Sequence, residues 1–444
     1  MRRMRINFLN NGRLKLNNRS FLQWMVLLVA FWSVLFKPVS YFPGILSYLK
    51  YIPDGILLVM LVLALSRKRV VIGKDLASAL RVVVGFFCYC LLVYIFQWQS
   101  PAYFLWGFRN NFRFYIAFVA FVVYLDNTDV DTWFKVMDVL FWINAILSLF
   151  QFIALGIKGD FLGGIFGVQG ASNGYTLCFM SIVIGKALLE AFGQKKTVMG
   201  NMAKCVVAIM VATMAEMRFF FFVVVFLMIG AAIMTRFSIK KMIYILLGLF
   251  TLMIGATLLE AWFDFQGFFS MKKLWEIAMQ QNYSSRGDVN RLSAISSLIS
   301  RIDMNYLEQL FGCGLGNCDT SSFDVCNTPF FKQYGHWHYI WFVSAIMFLE
   351  TGYVGLTIYI SFFVLCFFKA YKKYRTHNGN LLHSQLAILI SMLCVMLVFY
   401  DASIRTETGY MMYFVLALPF MRQSPENNSE PSMLPKKEII GYEK

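Results

Sequence analysis

The chain has 444 residues, of which 59% are hydrophobic, 18% are aromatic and only 14% are charged. Soluble domains carry about 25% charged residues, so this composition excludes an ordinary soluble protein and predicts one all-α integral membrane domain over residues 1–444. The formal net charge is +16, but the basic residues form short clusters between apolar stretches, as they do beside membrane spans. Because no basic soluble module is present, nucleic acid is excluded as a partner.

The first element in chain order is a basic segment, MRRMRINFLNNGRLKLNNRS, which precedes the apolar stretch FLQWMVLLVAFWSVLF. No small-residue cleavage site lies between the two. We therefore expect an uncleaved first membrane span rather than a signal peptide.

The apolar stretches that follow predict a polytopic bundle of about twelve transmembrane helices, each of about 17–25 residues. No internal repeat is evident, and the phenylalanine run 219–222 is expected to face lipid. The predicted spans are 21–36, 51–66, 78–98, 110–125, 132–155, 174–193, 201–216, 218–235, 242–261, 338–368, 384–400 and 408–420.

Clusters of lysine and arginine predict the orientation. The loops SRKRVVIGK, GQKK, TRFSIKK and KAYKKYRTH all fall on the side of the two termini. Basic residues in short loops favour the cytoplasmic side, so both termini, including the tail 421–444, are predicted to be cytoplasmic. The loop 126–131 on the same side is acidic, but acidic residues contribute little to this rule.

One long segment between spans 9 and 10, residues 262–337, is predicted to form a large loop on the outer face. Apolar residues recur at helical spacing from Val289 to Leu310, which predicts an amphipathic helix. The sequence FGCGLGN that follows is typical of a turn. Cys313, Cys318 and Cys326 lie in this loop, and an oxidising exterior would allow one disulfide among them, in any of three pairings.

Charged residues at the ends of membrane spans are costly and tend to be functional. Except for the mid-span Glu350, which we interpret as a buried structural carboxylate, those of this chain converge on the predicted outer face. They are Arg109, Arg113, Glu216, Arg218, Arg286, Arg291, Arg301, His336, His338, Asp401, Arg405 and Glu407. Arginine binds phosphate through planar, bidentate contacts, so the cluster suits an anionic lipid head group, and imidazole suits general base catalysis.

Each of these residues also has a structural interpretation. Arg218 and Glu216 would form an ion pair in a helical hairpin. Arg109 and Arg113 would extend toward the membrane surface, and His336 and His338 would belong to an interfacial aromatic belt. No cysteine and histidine spacing indicates a zinc site, and Asp319 with Asp324 offers only two hard ligands, so no metal is expected.

Three segments of the chain resemble the O-antigen polymerase (Wzy-type) and O-antigen ligase superfamily. They are SSRGDVNRLSAISSLI, LEQLFGCGLGNCDTSS and HWHYIWFVSAIMFLETGYVGL. In that family a loop arginine precedes a helix, a glycine-rich turn, and a histidine followed by an apolar run ending in Glu-x-Gly-x-x-Gly. The matching positions here are Arg286, the Gly312–Gly316 turn, His338, Glu350, Gly352 and Gly355. Three more segments are similar to segments of that family. They are MAEMRFFFF, which contains Arg218, GVQGASNGYTL, which contains Asn173, and WGFRNNFRFY.

The resemblance implies transfer of glycan from an undecaprenyl-diphosphate donor on the periplasmic face of the bacterial inner membrane, without metal or other cofactor. It implies catalytic roles for His338 and His336 as candidate bases and for Arg218 and Arg286 at the diphosphate. The substrate-binding residues would be Arg109, Arg113, Arg291, Asn173, Glu216 and Arg405. The expected partners are the lipid-linked oligosaccharide, membrane lipid and a chain-length regulator protein.

A repeat-unit polymerase and a ligase that transfers finished glycan to lipid A-core share fold and donor. The polymerase is favoured because Tyr339 stands where the ligase pattern has Asn, Ser or Gln after the histidine. A lipid-linked glycan transporter or flippase is the alternative of another class. Transporters usually contain internal repeats and midplane charges, and this chain has its charges at one face.

Overall fold

The computed structural model describes residues 18–39, 45–66, 74–193, 198–236, 238–263, 280, 287–321, 323, 326–377 and 379–421. The basic segment 1–17, Arg286 and the tail 422–444 lie outside the described residues. Within them the structure is all-helical.

Sixteen α-helices lie in the described part of the chain. In chain order they are α1 (Asn18–Ala30), α2 (Trp32–Val39), α3 (Ile52–Ser66), α4 (Lys74–Gln97), α5 (Pro101–Tyr124), α6 (Asn127–Ile153), α7 (Ser172–Phe192), α8 (Val198–Met214), α9 (Arg218–Met234), α10 (Ile239–Phe263), α11 (Ala294–Ile302), α12 (Tyr306–Phe311), α13 (Pro329–Tyr334), α14 (Val343–Arg375), α15 (Leu381–Tyr400) and α16 (Gly409–Ala417).

The structure is that of a polytopic helical membrane protein. Six described helices, α4, α6, α7, α10, α14 and α15, are long and apolar enough to cross a membrane, and α1 with α2 forms a seventh candidate span bent by 60°. Three shorter apolar helices cover Val198–Met214, Arg218–Met234 and Gly409–Phe420. Each predicted span overlaps at least one α-helix.

The outward faces of the peripheral helices are apolar. On α10, Phe250 and Met253 are both 61% exposed, and α6 exposes Ile146. Inside a bilayer such side chains replace water contacts with lipid contacts, which explains how a chain of this composition leaves so much apolar surface uncovered. The centre of the bundle is formed by α7, α15 and α16, most of whose residues are buried.

Helix α14 breaks at Gly352, where φ is 64°. The glycine-rich turn after α12 packs into this break, with Cys313 N donating to Leu349 O at 2.7 Å and Gly314 N to Glu350 O at 2.9 Å. A Cβ on Gly352 would lie 2.2 Å from Leu310 O, so only glycine permits this approach. The predicted turn is therefore confirmed, and it packs tightly against α14.

Several predicted boundaries were wrong. The amphipathic helix predicted from Val289 to Leu310 is divided into α11 and α12, because Asp303 takes the left-handed conformation (φ 57°) and Asn305 starts a new helix with a capping box. The acidic residues 126–131 form the start of α6 rather than a loop, since the Asp126 side chain caps it. In the run 219–222, Phe220 and Phe221 are buried rather than facing lipid.

Candidate functional site

Of the predicted site residues that the structure describes, all except His336 fall into two groups of contacts. We call the first the open patch, which comprises Asp160, Asn173, Glu216, Arg218, Phe219, Asp288, Arg291, His338, Tyr400 and Asp401. We call the second the closed network, which comprises Asp54, Arg109, Arg113, Asp319, Glu350, Arg405 and Glu407. Arg218 and His338 of the open patch are much more exposed than Arg113 and Arg405 of the closed network.

His338 forms the first contact of the open patch. Its Nδ1 lies 2.6 Å from Oδ1 of Asp288, whose side chain is only 8% exposed, whereas His338 is 39% exposed. The ring stacks on Trp341, with 4.1 Å between centroids. A carboxylate on Nδ1 fixes the neutral tautomer that carries its proton there, which leaves Nε2 as the basic nitrogen.

The backbone at His338 holds this geometry. The residue has φ 54°, in the left-handed region, between two short 3₁₀ turns. Its N–H donates to Gly335 O at 3.0 Å, and Val289 N donates to Trp337 O at 3.1 Å. The second bond ties the loop that carries Asp288 to the segment that carries His338, so the pair is positioned from both sides. Helix α14 therefore begins at Val343, five residues later than the predicted span.

Arg218 begins α9, and its guanidinium binds the carboxylate of Glu216 in the turn after α8. Glu216 has φ 53°, again in the left-handed region. The side chains of Arg218 and Glu216 are 39% and 28% exposed. This is the ion pair that the structural interpretation predicts, and the side chains of both members are partly exposed at the surface.

Aromatic stacking connects the Arg218 turn to the loop that precedes α11. Phe219 stacks on Tyr400 with 3.8 Å between ring centroids, and the guanidinium carbon of Arg291 lies 4.6 Å from the centre of the same Tyr400 ring. A guanidinium over an aromatic face is favourable. Arg291 therefore packs against an aromatic pair whose other member, Phe219, directly follows Arg218 in the chain.

The start of α7 closes the patch on its other side. Asn173 Nδ2 donates to Asp160 Oδ1 at 2.5 Å, and an added Cβ on Gly174 would lie 2.8 Å from Ser403 Oγ. Asp401 accepts bonds from Ser403 N at 2.8 Å and Ser403 Oγ at 2.7 Å. Burial raises the pKa of Asp401, although these bonds and the charge of Arg291 partly offset it.

Arg405 is the centre of the closed network. Its Nη2 lies 2.7 Å from Asp319 Oδ2 and 3.7 Å from Glu350 Oε2, and its Nε donates to Asn111 Oδ1 at 2.9 Å. Glu350 is fully buried, as predicted. These contacts join the outer loop, α14, α5 and the turn after α15.

Arg113 and Arg109 extend the closed network. Arg113 lies 3.7 Å from Glu407, which also accepts a 2.6 Å bond from Tyr175 Oη. Burial alone raises the pKa of Glu407, but the charge of Arg113 and the Tyr175 bond outweigh it and hold that pKa below its usual range. Arg109 binds Asp54 at 2.7 Å. Each arginine of this network therefore faces a carboxylate.

His336 lies apart from the Asp288 contact. Its side chain is exposed and its ring lies 5.1 Å from that of Trp337. Sequence reasoning did not identify Asp288, the residue that binds His338. The sequence does contain a signal for Asp288, because this acidic residue lies between Arg286 and Arg291 in the stretch that carries the family resemblance.

No protein-family profile matches this chain, and no curated protein sequence matches it.

Proposed function

We propose that the protein is a polysaccharide polymerase, of O-antigen or capsule repeat units, that works at the periplasmic face of the bacterial inner membrane. It transfers glycan from an undecaprenyl-diphosphate-linked donor to a lipid-linked repeat unit. The observation that carries the proposal is the open patch. There the His338–Asp288 pair lies on the same loop system as Arg291, and Arg291 packs over Tyr400, whose ring stacks on Phe219, the residue next to the partly exposed Arg218.

The proposed topology has about twelve spans and both termini in the cytoplasm. Contacts between predicted loops support it. Asp319 and Arg405, both predicted to lie outside, are 2.7 Å apart, and Lys369 and Asp75, both predicted to lie inside, are 3.0 Å apart. A transporter would need a path serving both sides, and the charged residues that carry this proposal gather at one side.

In the proposed reaction, His338 acts as general base. Its Nε2 takes the proton from the acceptor hydroxyl while the hydroxyl oxygen attacks the anomeric carbon of the donor sugar. Asp288 stabilises the imidazolium that forms, as a buried carboxylate bonded to Nδ1 does. The bond from the anomeric carbon to the diphosphate oxygen breaks, and undecaprenyl diphosphate leaves.

The leaving diphosphate gains negative charge as that bond breaks. Arg218 and Arg291, with Arg286 as a further candidate, would stabilise this charge, a task that guanidinium groups perform through several directed donors. Glu216 holds Arg218 at the patch before substrate arrives. Asn173 is placed beside Asp160 to orient a sugar of the donor or acceptor.

In this proposal the arginines of the closed network act indirectly. Arg109, Arg113 and Arg405 already face Asp54, Glu407 and Asp319. They hold the outer loop on the bundle, so that the open patch keeps its shape. This assigns them to positioning rather than to contact with the diphosphate.

The test is polysaccharide length in the native producing cells. We expect Arg218→Ala and His338→Ala each to remove long chains, with activity reduced about 100-fold or more, while lipid A-core bearing one repeat unit remains. Arg375→Ala and His377→Ala serve as matched controls because both residues are exposed at the opposite end of α14. Protein abundance is measured by immunoblot in every variant.

Wild-type chain length in Arg218→Ala would remove its role at the diphosphate, and a fully active His338→Ala would end the base assignment. Loss of the single repeat unit together with the long chains would indicate a ligase instead. Each outcome is read only from variants present at wild-type abundance.

A further inference from the structure

The cysteines of the outer loop form a feature that the proposed reaction does not use. Cys313 and Cys318 lie at the two ends of the glycine-rich turn that packs into the break of α14. Cys318 is fully buried, whereas Cys313 is partly exposed. The third loop cysteine, Cys326, lies beyond this turn and is also partly exposed.

The turn folds back on itself and brings Cys313 and Cys318 together. Asn317 Nδ2 donates to Cys313 O at 2.9 Å, and Asn317 N donates to Gly314 O at 3.0 Å. Cys313 and Cys318 therefore directly flank the four-residue turn that the second of these bonds closes. The positive φ values of Gly314 (98°) and Gly316 (81°) make so tight a return possible.

We propose that Cys313 and Cys318 form a disulfide in the mature protein. Of the three pairings that the sequence allows, the structure favours this one because Cys313 and Cys318 flank a closed turn of four residues, whereas Cys326 follows eight residues after Cys318. The proposal rests on the outer-face orientation in the proposed function, since disulfides persist in the oxidising periplasm and are reduced in the cytosol.

The chemistry needs an oxidant, which in that compartment is a disulfide-bonded protein of the thiol oxidoreductase class. The thiolate of the more exposed Cys313 attacks the oxidant's disulfide and forms a mixed disulfide. The Cys318 thiolate then displaces the oxidant, which leaves as a dithiol carrying the two electrons and two protons lost by the pair. Contact with Cys318 lowers the pKa of the Cys313 thiol, which favours the attacking thiolate.

The bond would stiffen the segment that supports both groups of contacts. Asp319, which binds Arg405, follows Cys318 directly, and the Cys318 carbonyl accepts a 2.6 Å bond from the buried Tyr339. Tyr339 adjoins His338. A cross-link from residue 313 to residue 318 therefore fixes the loop next to the proposed catalytic base.

Differential alkylation of the full-length protein tests this inference. Cells are lysed in denaturant with N-ethylmaleimide, which reaches buried thiols, and the protein is then reduced and treated with iodoacetamide. The three loop cysteines lie in one tryptic peptide, residues 302–332, so tandem mass spectrometry locates each label. We expect Cys326 to carry the first reagent, and Cys313 and Cys318 to carry the second.

Two variants provide controls. Cys326→Ser should leave the pattern of the other two unchanged, and Cys313→Ser should make Cys318 react with the first reagent. The proposal would be overturned if both Cys313 and Cys318 of the wild-type protein carried the first reagent. A disulfide that includes Cys326 would also overturn it.

A separate measurement distinguishes failure of the disulfide from failure of the topology. A membrane-impermeant maleimide is applied to spheroplasts, and labelling of Cys326 shows the loop to be outside. If Cys326 is labelled and both Cys313 and Cys318 are free thiols, the disulfide proposal fails and the outer-face orientation stands. Unlabelled Cys326 that reacts only after lysis overturns the outer-face orientation and the disulfide together.

Discussion

The open patch and the closed network use the same residue types at the same face of the bundle, yet they differ in accessibility. Arg405 and Arg113 have side chains that are 9% and 7% exposed, whereas Arg218 and His338 are each 39% exposed. In the closed network a carboxylate lies beside every guanidinium before any ligand binds. Removing one partner of a buried ion pair destabilises a fold, whereas a half-exposed arginine can bind an anion.

This difference teaches that an arginine at a membrane surface is not by itself a ligand site. The sequence presents all of these arginines as equivalent, since each lies at the end of an apolar span. Side-chain exposure separates them: Arg113 and Arg405 are 7% and 9% exposed, whereas Arg218, although it is paired with Glu216, is 39% exposed.

The largest expected effect is on stability, in the closed network. Arg405→Ala leaves Asp319 and Glu350 buried without their cation, which costs about 3–5 kcal/mol for a broken buried pair. We expect the protein to fall to a small fraction of wild-type abundance, and its unfolding temperature in detergent to drop. Arg375→Ala, at the exposed end of α14, should change neither.

Wild-type stability of Arg405→Ala would show that the closed network does not hold the loop. The double variant Arg405→Ala with Asp319→Asn is then compared with the single variant Arg405→Ala. Because the second change removes one uncompensated carboxylate, the double variant should regain part of the lost stability.

The next effect is on catalysis, in the open patch. Asp288→Asn keeps the size of the side chain but removes the charge that stabilises the His338 imidazolium, so we expect kcat to fall about 100-fold with KM nearly unchanged. Purified protein with lipid-linked repeat units gives both constants. Asp303→Asn is the matched control, because Asp303 is exposed and asparagine tolerates its left-handed backbone. A rise in KM alone would contradict a positioning role for Asp288.

The smallest expected effect is a pH dependence of the closed network. Because the pKa of Glu407 is lower in the folded protein than in the unfolded chain, its ion pair stabilises the fold above the usual carboxyl pKa of about 4.3. That stabilisation is lost as the pH falls through the folded-state pKa. Thermal unfolding measured from pH 7 to pH 3 should show a shallower decline for Glu407→Gln than for wild type. Parallel curves would contradict this assignment.

The helical membrane architecture could be predicted from the sequence, because apolar stretches and basic clusters are local signals. The positions of the helix ends were harder to predict from the sequence. The start of α14 at Val343 depends on the left-handed His338, and its break at Gly352 depends on a turn that arrives from the outer loop. Such packing is not visible in hydropathy.

The candidate site could be predicted as a set of residues but not as a geometry. Arginines and histidines at span ends are conspicuous in an apolar chain, and Glu350 was correctly expected to be buried. Their partners are distant in sequence. Asp288 lies 50 residues before His338, and Asp319 lies 86 residues before Arg405. Nothing local selects these pairs from the other acidic residues.

The most direct test of the central claim is the affinity of the purified protein for undecaprenyl diphosphate, the product that the open patch is proposed to release. We expect Arg218→Ala to weaken binding about 10-fold or more, since it removes a charged donor from the diphosphate. Arg375→Ala, at the exposed far end of α14, should bind as the wild type does. Equal affinity of wild type and Arg218→Ala would contradict the account.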